Sequence, residues 1–282
     1  MNFKSSEKDK YMVYEKFVKR ISCPHESNKK TWGDPVESKL ALCIIELECH
    51  PLLPHVLYNA CHLYGGIPDI SLYIFHGNKN KEYIEKHTIG WNNIVLYNLK
   101  IDTLTPIEFN RILKNVNFWT HIAPDMVFMF NVYTLFRRPI PPQWFLPIET
   151  NDTSSSSTVS TSSTSNHKLA LFDYVGAPWS IVPSRQKPWS RVGNGQVSIR
   201  NKREMVRICY FHPKESMRST PEDLFYVETL ENDRIAPFEY ANMFAVESII
   251  HPDPMCCLNI WKYMSFDFMI HLIETIPGYK SP

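Results

Sequence analysis

The sequence predicts an α/β fold, in which a mixed, mostly parallel sheet carries helices on both faces of a single domain. One observation is the pair of continuous apolar runs at Leu40–Ile45 and Met126–Phe130, which are typical of strands buried on both faces. Another is the helical periodicity of the intervening chain, for instance at residues 51–64. Strands and helices that alternate in this way favour a parallel sheet, whose ligands bind beyond the carboxyl ends of its strands.

The first half of the chain alternates regularly between helices and strands. A helix is expected at residues 8–20, where Tyr11, Tyr14 and Val18 recur at helical spacing. Gly65 and Gly66 end the helix that begins at residue 51. The expected strands are 40–45, 70–75, 93–97 and 126–130, and the further helices are 51–64, 79–87 and 106–114.

The second half is divided by loops and turns. A strand is expected at residues 169–172, and the segment 173–179 is expected to end it as a rigid loop. Asn194-Gly195 is a strong turn signal and predicts a tight turn before a strand at 196–199. A short late strand at 241–247 and a helical tail at 258–275 complete the expected elements.

Two segments differ in composition from the rest. Residues 1–38 are polar and are predicted to form a partly helical extension before a domain at 39–282. Residues 150–167 are rich in Ser and Thr and have too little apolar surface to offset the entropy of ordering. We interpret them as a disordered loop within the domain, with an interdomain linker as the alternative.

Charge and cysteine content limit the possible partners. The 282 residues carry 30 Lys and Arg against 29 Asp and Glu, and this balance favours neither a nucleic acid nor a membrane. The chain begins without a signal peptide and has no apolar stretch long enough to span a bilayer, so a cytoplasmic location is expected. The seven scattered cysteines predict buried reduced thiols, with a soft-metal site at Cys256 and Cys257 as the alternative.

Four motifs follow one another in the second half. They read DYVGAPW at 173–179, GNGQVSIR at 193–200, PEDLFY at 221–226 and FAVE at 244–247. Their order resembles a glycosyltransferase-like family long filed as a domain of unknown function, with relatives in fungi, bacteria and large DNA viruses. The resemblance covers about residues 40–261 and implies the GT-A fold, which is Rossmann-related. It also implies a nucleotide-diphosphate sugar as donor substrate, often with a divalent metal.

The chain departs from this family where metal and diphosphate contacts are expected. Asn131 follows the strand at 126–130, where the family usually has an Asp in the GT-A metal position. Gln196 replaces the last Gly of a GNGG motif, Glu48 replaces an Arg, and Leu258 precedes Trp261 where the family tends to have His-Lys. These departures predict no metal-binding residues and a donor that is bound without a divalent metal.

Asp223 is the candidate general base, and Glu222 is the second candidate catalytic carboxylate. An inverting sugar transfer needs a carboxylate that takes the proton of the acceptor hydroxyl. An acidic pair at a helix start near the carboxyl edge of the sheet suits this role. The alternative is purely structural, because Thr220 as N-cap, Pro221 in the first turn and Asp223 form a helix-start signature.

The GNGQVSIR motif supplies one group of candidate donor-binding residues, Gly193, Asn194, Gly195 and Ser198. Glycines allow backbone N–H groups to approach a sugar or diphosphate closely. A tight turn explains the same residues, and the two interpretations are compatible.

Four further residues are candidate donor contacts. Asp173 at a strand end and Trp179 in the loop after it are predicted to contact the sugar, because aromatic rings stack on apolar sugar faces. Buried packing is the alternative for Trp179. Arg137 and Arg138 form a fork that can neutralise a diphosphate without a metal, with exposed surface charges as the alternative.

Two classes of function follow. The first is a glycosyltransferase, hexosyltransferase-like, that moves a sugar from a nucleotide-diphosphate donor to a glycan or protein acceptor. The second is a catalytically inactive relative that binds a glycan, a nucleotide or a protein partner.

Overall fold

The computed structural model describes residues 6–21, 31–141, 172–181, 183, 187 and 191–276. The Ser/Thr-rich segment at 150–167 and most of the strand expected at 169–172 lie outside the described residues. Within the described ranges, no helix combines the length and the apolar composition needed to cross a membrane.

Helices and strands alternate along most of the described chain. The helices are α1 Glu7–Ile21, α2 Leu53–Tyr64, α3 Lys81–His87, α4 Pro106–Leu113, α5 Val116–Thr120, α6 Lys202–Phe211, α7 Pro213–Ser216, α8 Glu222–Thr229, α9 Phe238–Phe244, α10 Ile260–Tyr263 and α11 Phe266–Glu274. The strands are β1 Leu40–Ile45, β2 Ile70–His76, β3 Ile94–Asn98, β4 Met126–Phe130, β5 Thr134–Phe136, β6 Tyr174–Pro178, β7 Val192–Asn201, β8 Ala245–Val246 and β9 Cys256–Leu258.

Six strands form the main sheet, in the order β3-β2-β1-β4-β7-β6. The pairs β3-β2, β2-β1 and β1-β4 are parallel, whereas β7 runs antiparallel to both β4 and β6. The predicted α/β fold with a mixed, mostly parallel sheet flanked by helices is therefore confirmed. The reversed direction of β7 brings its first residues to the edge where the parallel strands end.

The main sheet has a hydrophobic core on each face, because successive residues of a strand point to opposite sides. Leu42 and Ile44 of β1 pack against α2 on one face. Ala41 and Cys43 pack on the other face, in the cluster that includes residues of α5, α6 and α8. A strand of this kind needs apolar residues at every position, which is why the run Leu40–Ile45 identified β1 with its observed bounds.

A third cluster joins the first helix to the end of the described chain. Tyr14 of α1 is fully buried, packs against Trp261 and donates a hydrogen bond to the carbonyl of Tyr133 at 3.1 Å. Residues of α10 and α11 complete this cluster beside the small sheet β5-β9-β8. The domain boundary at residue 39 stays a prediction, but α1 is packed into the fold.

The loop predicted at 173–179 and the turn predicted at 193–195 are both wrong. Tyr174–Pro178 is strand β6, and the GNG residues lie within β7. Gly176 pairs with Ser198 and the next residue, Ala177, pairs with Asn194, so the three residues 195–197 are left without a partner in β6. The Asn-Gly signal therefore marks a bulge within a strand instead of a hairpin turn.

Three other local expectations need correction. The late strand predicted at 241–247 is mostly helix α9, which is followed by the two-residue strand β8. The tail predicted as one helix is strand β9 and two short helices, which meet at Met264 and Ser265. Thr220 does not cap α8, because the N-cap position is Pro221, which has no side chain able to accept a hydrogen bond.

Most described cysteines agree with the prediction of buried thiols. The described cysteines are free, and Cys49 differs from the others because it is exposed. The buried free cysteines are Cys43, Cys61, Cys209, Cys256 and Cys257.

Candidate functional site

The candidate site lies where the parallel strands end and β7 begins. Asn131, directly after β4, donates a hydrogen bond from its amide to Gln196 Oε1 at 3.0 Å. The bulged residues of β7 therefore lie at the carboxyl edge of the sheet, which is where open α/β sheets bind their ligands.

Two glycines of β7 are required by close packing at this edge. A Cβ on Gly193 would lie 2.6 Å from the Trp179 ring, and Gly193 has φ +146°, which other residues rarely adopt. A Cβ on Gly195 would lie 2.1 Å from Glu222 Oε1 and 2.7 Å from Arg200 Nη2. The backbone at 193–195 is thus packed closely against α8 and the Trp179 ring.

Asp223 faces this backbone from the first turn of α8. Its Oδ2 accepts the N–H of Gly195 at 3.2 Å, and its Oδ1 accepts the N–H of Leu224 at 2.7 Å. Burial raises the pKa of Asp223 to about 6, and the adjacent Glu222 carboxylate contributes in the same direction. A half-buried carboxyl group with this pKa can exchange a proton near neutral pH.

Glu222 has a different environment from Asp223. It is buried, and both of its carboxylate oxygens bind the guanidinium of Arg200, at 2.5 and 2.9 Å. Its N–H donates to Asn110 of α4 at 2.9 Å. Glu222 is therefore committed to an internal ion pair, and Asp223 is the carboxylate of the two that remains suited to proton transfer.

Asn194 connects β7 to a carboxylate that the sequence analysis did not nominate. Its amide donates to Glu247 Oε2 at 2.7 Å, and Asn259 donates to the other oxygen of Glu247 at 3.3 Å. Burial raises the pKa of Glu247 above its ordinary value. Glu247 is the last residue of the FAVE motif, and that position was the signal that could have identified it.

The four motifs are thus brought together around the start of β7. DYVGAPW supplies β6 and the Trp179 ring, PEDLFY supplies Asp223, and FAVE supplies Glu247. Ser198 is fully buried and donates to the carbonyl of Gly195 at 3.0 Å, so it supports the bulge from inside.

Asp173 lies at the opposite edge of the sheet from these residues. Arg200 pairs with Val127 in β4 and with Tyr174 in β6, which places the start of β6 beside the start of β4. The carboxylate of Asp173 binds Arg234 at 2.7 and 2.8 Å. Asp173 directly precedes β6 and therefore lies away from the other candidate residues, and its contact with a sugar stays a prediction.

Arg137 and Arg138 also lie outside the site. Arg137 is buried and donates to the carbonyls of Pro254 and Leu272 and to the hydroxyl of Thr275. Both arginines pair with Asp253, at 3.0 and 2.9 Å. They link β5 to the end of the described chain, and the predicted diphosphate fork does not form at the carboxyl edge.

The ends of β1 and β2 border the site on the far side of β4. The amide of Asn80 is buried and donates to the carbonyls of Glu46 and Glu48 at 2.7 and 3.2 Å, while its oxygen accepts the N–H of Gly77. Burial raises the pKa of Glu46. Asn80 therefore fixes the backbone that follows β1 at this edge. The sequence shows Asn80 only as a residue after a turn and does not indicate this role.

The described residues do not fit a divalent metal. Among them, no three His, Cys, Asp or Glu side chains come together as a group that could hold an ion. Asn131 accepts the N–H of Tyr133 at 2.9 Å while its amide binds Gln196, so it is engaged locally.

Two open cavities lie away from the sheet edge. One has a volume of about 320 Å³ and lies beside α7 and α8, where His212 and Phe225 line it. The other, of about 490 Å³, lies between α4 and α6 and is lined by Lys114 and Cys209. Asp223 lines neither cavity, so they are separate from the candidate site.

Comparison with known proteins finds a family model that matches part of the chain. Residues 154–258 match the family described as "Protein of unknown function (DUF5672)", which is less than half of the chain. This span contains the four motifs and is shorter than the 40–261 that the resemblance suggested. A search of curated proteins finds no match.

A distant likeness to a solved structure accompanies this match. The mannosyltransferase PcManGT from Pyrobaculum calidifontis, in complex with GDP-Man and Mn2+, is 10% identical with a TM-score of 0.37. The alignment covers 72% of this chain and 55% of that chain, so this chain spans about half the length of the mannosyltransferase. Similarity at this level carries no argument about activity.

Proposed function

We propose that this protein is a glycosyltransferase that moves a sugar from a nucleotide-diphosphate donor to a hydroxyl group of a glycan or protein acceptor. The observation that carries the proposal is the Asp223 carboxyl group at the carboxyl edge of the sheet, with a pKa of about 6. A general base is most effective when its pKa lies near the operating pH.

In the proposed reaction, the acceptor hydroxyl oxygen attacks the anomeric carbon of the donor sugar. The bond from that carbon to the diphosphate oxygen breaks, and the nucleoside diphosphate leaves with the bonding electrons. Asp223 takes the proton of the hydroxyl group as the new glycosidic bond forms. Direct displacement of this kind inverts the configuration at the anomeric carbon.

The groups around Asp223 supply the proposed substrate contacts. The β7 backbone at Gly193, Asn194 and Gly195 borders the space where the sugar would bind, and the half-buried Trp179 ring offers a stacking face beside it. Arg191 is exposed at the start of β7, where its carbonyl accepts the N–H of Trp179 at 2.7 Å. It replaces Arg137 and Arg138 as the proposed contact for the diphosphate, which we propose binds without a metal.

One observation favours the second class of function, a catalytically inactive binding protein. Both oxygens of Asp223 accept backbone N–H groups, which is also how a purely structural carboxylate at a helix start would be satisfied. In that case the same edge of the sheet would bind a nucleotide or glycan without transferring a sugar.

Thermal unfolding with a panel of UDP- and GDP-sugars tests donor binding, with manganese and with a chelator in parallel. A donor that binds only the folded protein stabilises it by about 2.7 kcal/mol at 100 times its Kd. Transfer is then followed by release of nucleoside diphosphate. Donor binding without any transfer would support the inactive class, and the absence of any stabilising donor would refute the proposed donor class.

A further inference from the structure

Arg200 forms an unusually complete set of internal contacts for a buried cation. Its guanidinium donates to both carboxylate oxygens of Glu222, to the hydroxyl of Ser198 at 2.8 Å and to the carbonyl of Gly195 at 2.9 Å. The side chain is fully buried. The rings of Trp119, Tyr174 and Tyr226 surround the guanidinium, with centroids at 5.9, 5.1 and 5.7 Å.

Stability alone does not account for such a pair. Removing two charges from water costs about as much as their attraction returns, so apolar residues of similar volume often serve a core equally well. What an apolar replacement cannot do is fix the directions of several neighbouring groups at once. Arg200 fixes both the carbonyl of Gly195 and the carboxylate of Glu222, so its contacts reach two elements.

These two elements meet at Asp223. The carbonyl of Gly195 accepts a hydrogen bond from Arg200, and the N–H of the same residue donates to Asp223 Oδ2. On α8, Glu222 directly precedes Asp223, so its pairing with Arg200 sets the position of the first helical turn. The Arg200 guanidinium therefore orients the Asp223 carboxyl group in two ways, through Gly195 and through Glu222.

We propose that Arg200 and Glu222 are positioning residues that orient the Asp223 carboxyl group against the Gly195 N–H. Neither touches the substrate; both act through Asp223. The catalytic part of this inference rests on the proposed function, whereas the orientation of Asp223 does not.

The Arg200–Glu222 pair also affects the pKa of Asp223. The Glu222 carboxylate raises the pKa of Asp223 and the Arg200 guanidinium lowers it, with burial as the largest cause of the raised value. Tyr174 of β6 also interacts electrostatically with Asp223. Burial raises the pKa of Tyr174 well above its ordinary value, so its hydroxyl group stays neutral. Glu247 lies across β7 and is bonded to Asn194 instead.

The first test measures the Asp223 carboxyl group directly, by NMR titration of the protein carrying ¹³C-labelled aspartate. In Glu222→Gln the raising charge is lost and Arg200 stays, so the pKa of Asp223 is expected to fall from about 6 toward its ordinary value of 3.8. Arg137→Lys is the matched control, because Arg137 is as deeply buried but bonds to groups near the end of the described chain, away from Gly195 and Asp223. An unchanged pKa in Glu222→Gln, or an equal fall in Arg137→Lys, overturns the inference.

The second test measures turnover in Arg200→Lys, which keeps the charge but loses the fork that reaches three partners. A misplaced base is expected to lower kcat by about tenfold or more, with the KM for the donor within about twofold. Arg137→Lys should retain wild-type kcat. Loss of donor affinity with kcat preserved contradicts positioning. If Arg200→Lys does not fold, Glu222→Gln is assayed instead.

The two tests separate this inference from the proposed function. A wild-type protein that transfers no sugar refutes the proposed function, and the carboxyl titration still decides whether the Arg200–Glu222 pair acts on Asp223. A fall in the pKa of Asp223 together with unchanged kcat in Glu222→Gln would show that the pair acts on Asp223 without a catalytic role.

Discussion

The substitution Asp223→Asn should lower activity without lowering stability. If Asp223 is the general base, its loss lowers kcat by about a hundredfold or more, while donor affinity stays near that of the wild type. The asparagine keeps the size of the side chain and one acceptor oxygen. It removes the ionisable group, and with it the energetic cost of holding a charge in this position.

The size of the stability effect follows from the pKa of Asp223. A rise from 3.8 to about 6 corresponds to about 3 kcal/mol of penalty for the ionised form. Solvent reaches part of this half-buried group and screens its charge, so about 1–2 kcal/mol of this penalty remains. One backbone N–H loses its acceptor in the variant, at a cost of about 1 kcal/mol. Asp223→Asn should therefore be as stable as the wild type at pH 7.5, or more stable by up to about 1 kcal/mol.

The pH dependence gives the sign of the effect. Because the pKa in the folded protein lies above that of the unfolded chain, the wild type binds a proton on folding between about pH 4 and pH 6. The wild type is not penalised at low pH, where Asp223 is protonated in both the folded and the unfolded state. Its free energy of unfolding falls as the pH rises through about 6, because the buried carboxyl group then ionises. Any advantage of Asp223→Asn should thus grow from pH 4 to pH 6.5 and then stay constant.

Urea unfolding at a series of pH values measures stability, and release of nucleoside diphosphate measures turnover. The activity of the wild type should fall on the acid side with a pKa of about 6. Equal activity in Asp223→Asn would exclude Asp223 as the base. A variant that is clearly less stable than the wild type at pH 7.5, with no change in that difference at pH 4.5, would refute the argument from burial.

Three further predictions concern the site and the fold. Gly195→Ala should cost about 1–3 kcal/mol in urea unfolding, because its Cβ would lie 2.1 Å from Glu222 Oε1, and a neutral result would contradict this cause. Donor binding measured by calorimetry should be the same with manganese and with a chelator, since Asn131 offers no carboxylate; binding that requires manganese would refute this. Tyr14→Ala should lower the free energy of unfolding by about 3 kcal/mol or more, and a neutral result would show that α1 is not part of the cooperative fold.

Several strands and helices could be predicted from the sequence because their signals are local. The runs Leu40–Ile45 and Met126–Phe130 are strands with the expected bounds, since a strand buried on both faces must be apolar at each position. The helices at 51–64 and 106–114 were predicted within two residues at each end. Asp223 was also nominated as a candidate from a local signal, an acidic pair at a helix start.

The rest depended on strand order and direction, which no local pattern encodes. Asn194 and Gly195 carry the sequence pattern of a hairpin turn, but β6 pairs on both sides of residues 195–197 and holds them in a strand as a bulge. Asp173 was expected at the site because it adjoins a predicted strand, yet only the observed start of β6 shows that it lies at the other edge.

The same reason explains the contacts that define the site. Asn194 meets Glu247 across 53 positions of the chain, Gly195 meets Asp223 across 28, and Arg200 meets Glu222 across 22. The sequence by itself determined the strands and helices predicted in the first half of the chain, because burial and periodicity act over a few neighbouring residues. Only the tertiary structure decided which polar groups meet, because their partners come from elements that are adjacent in the sheet and distant in the chain.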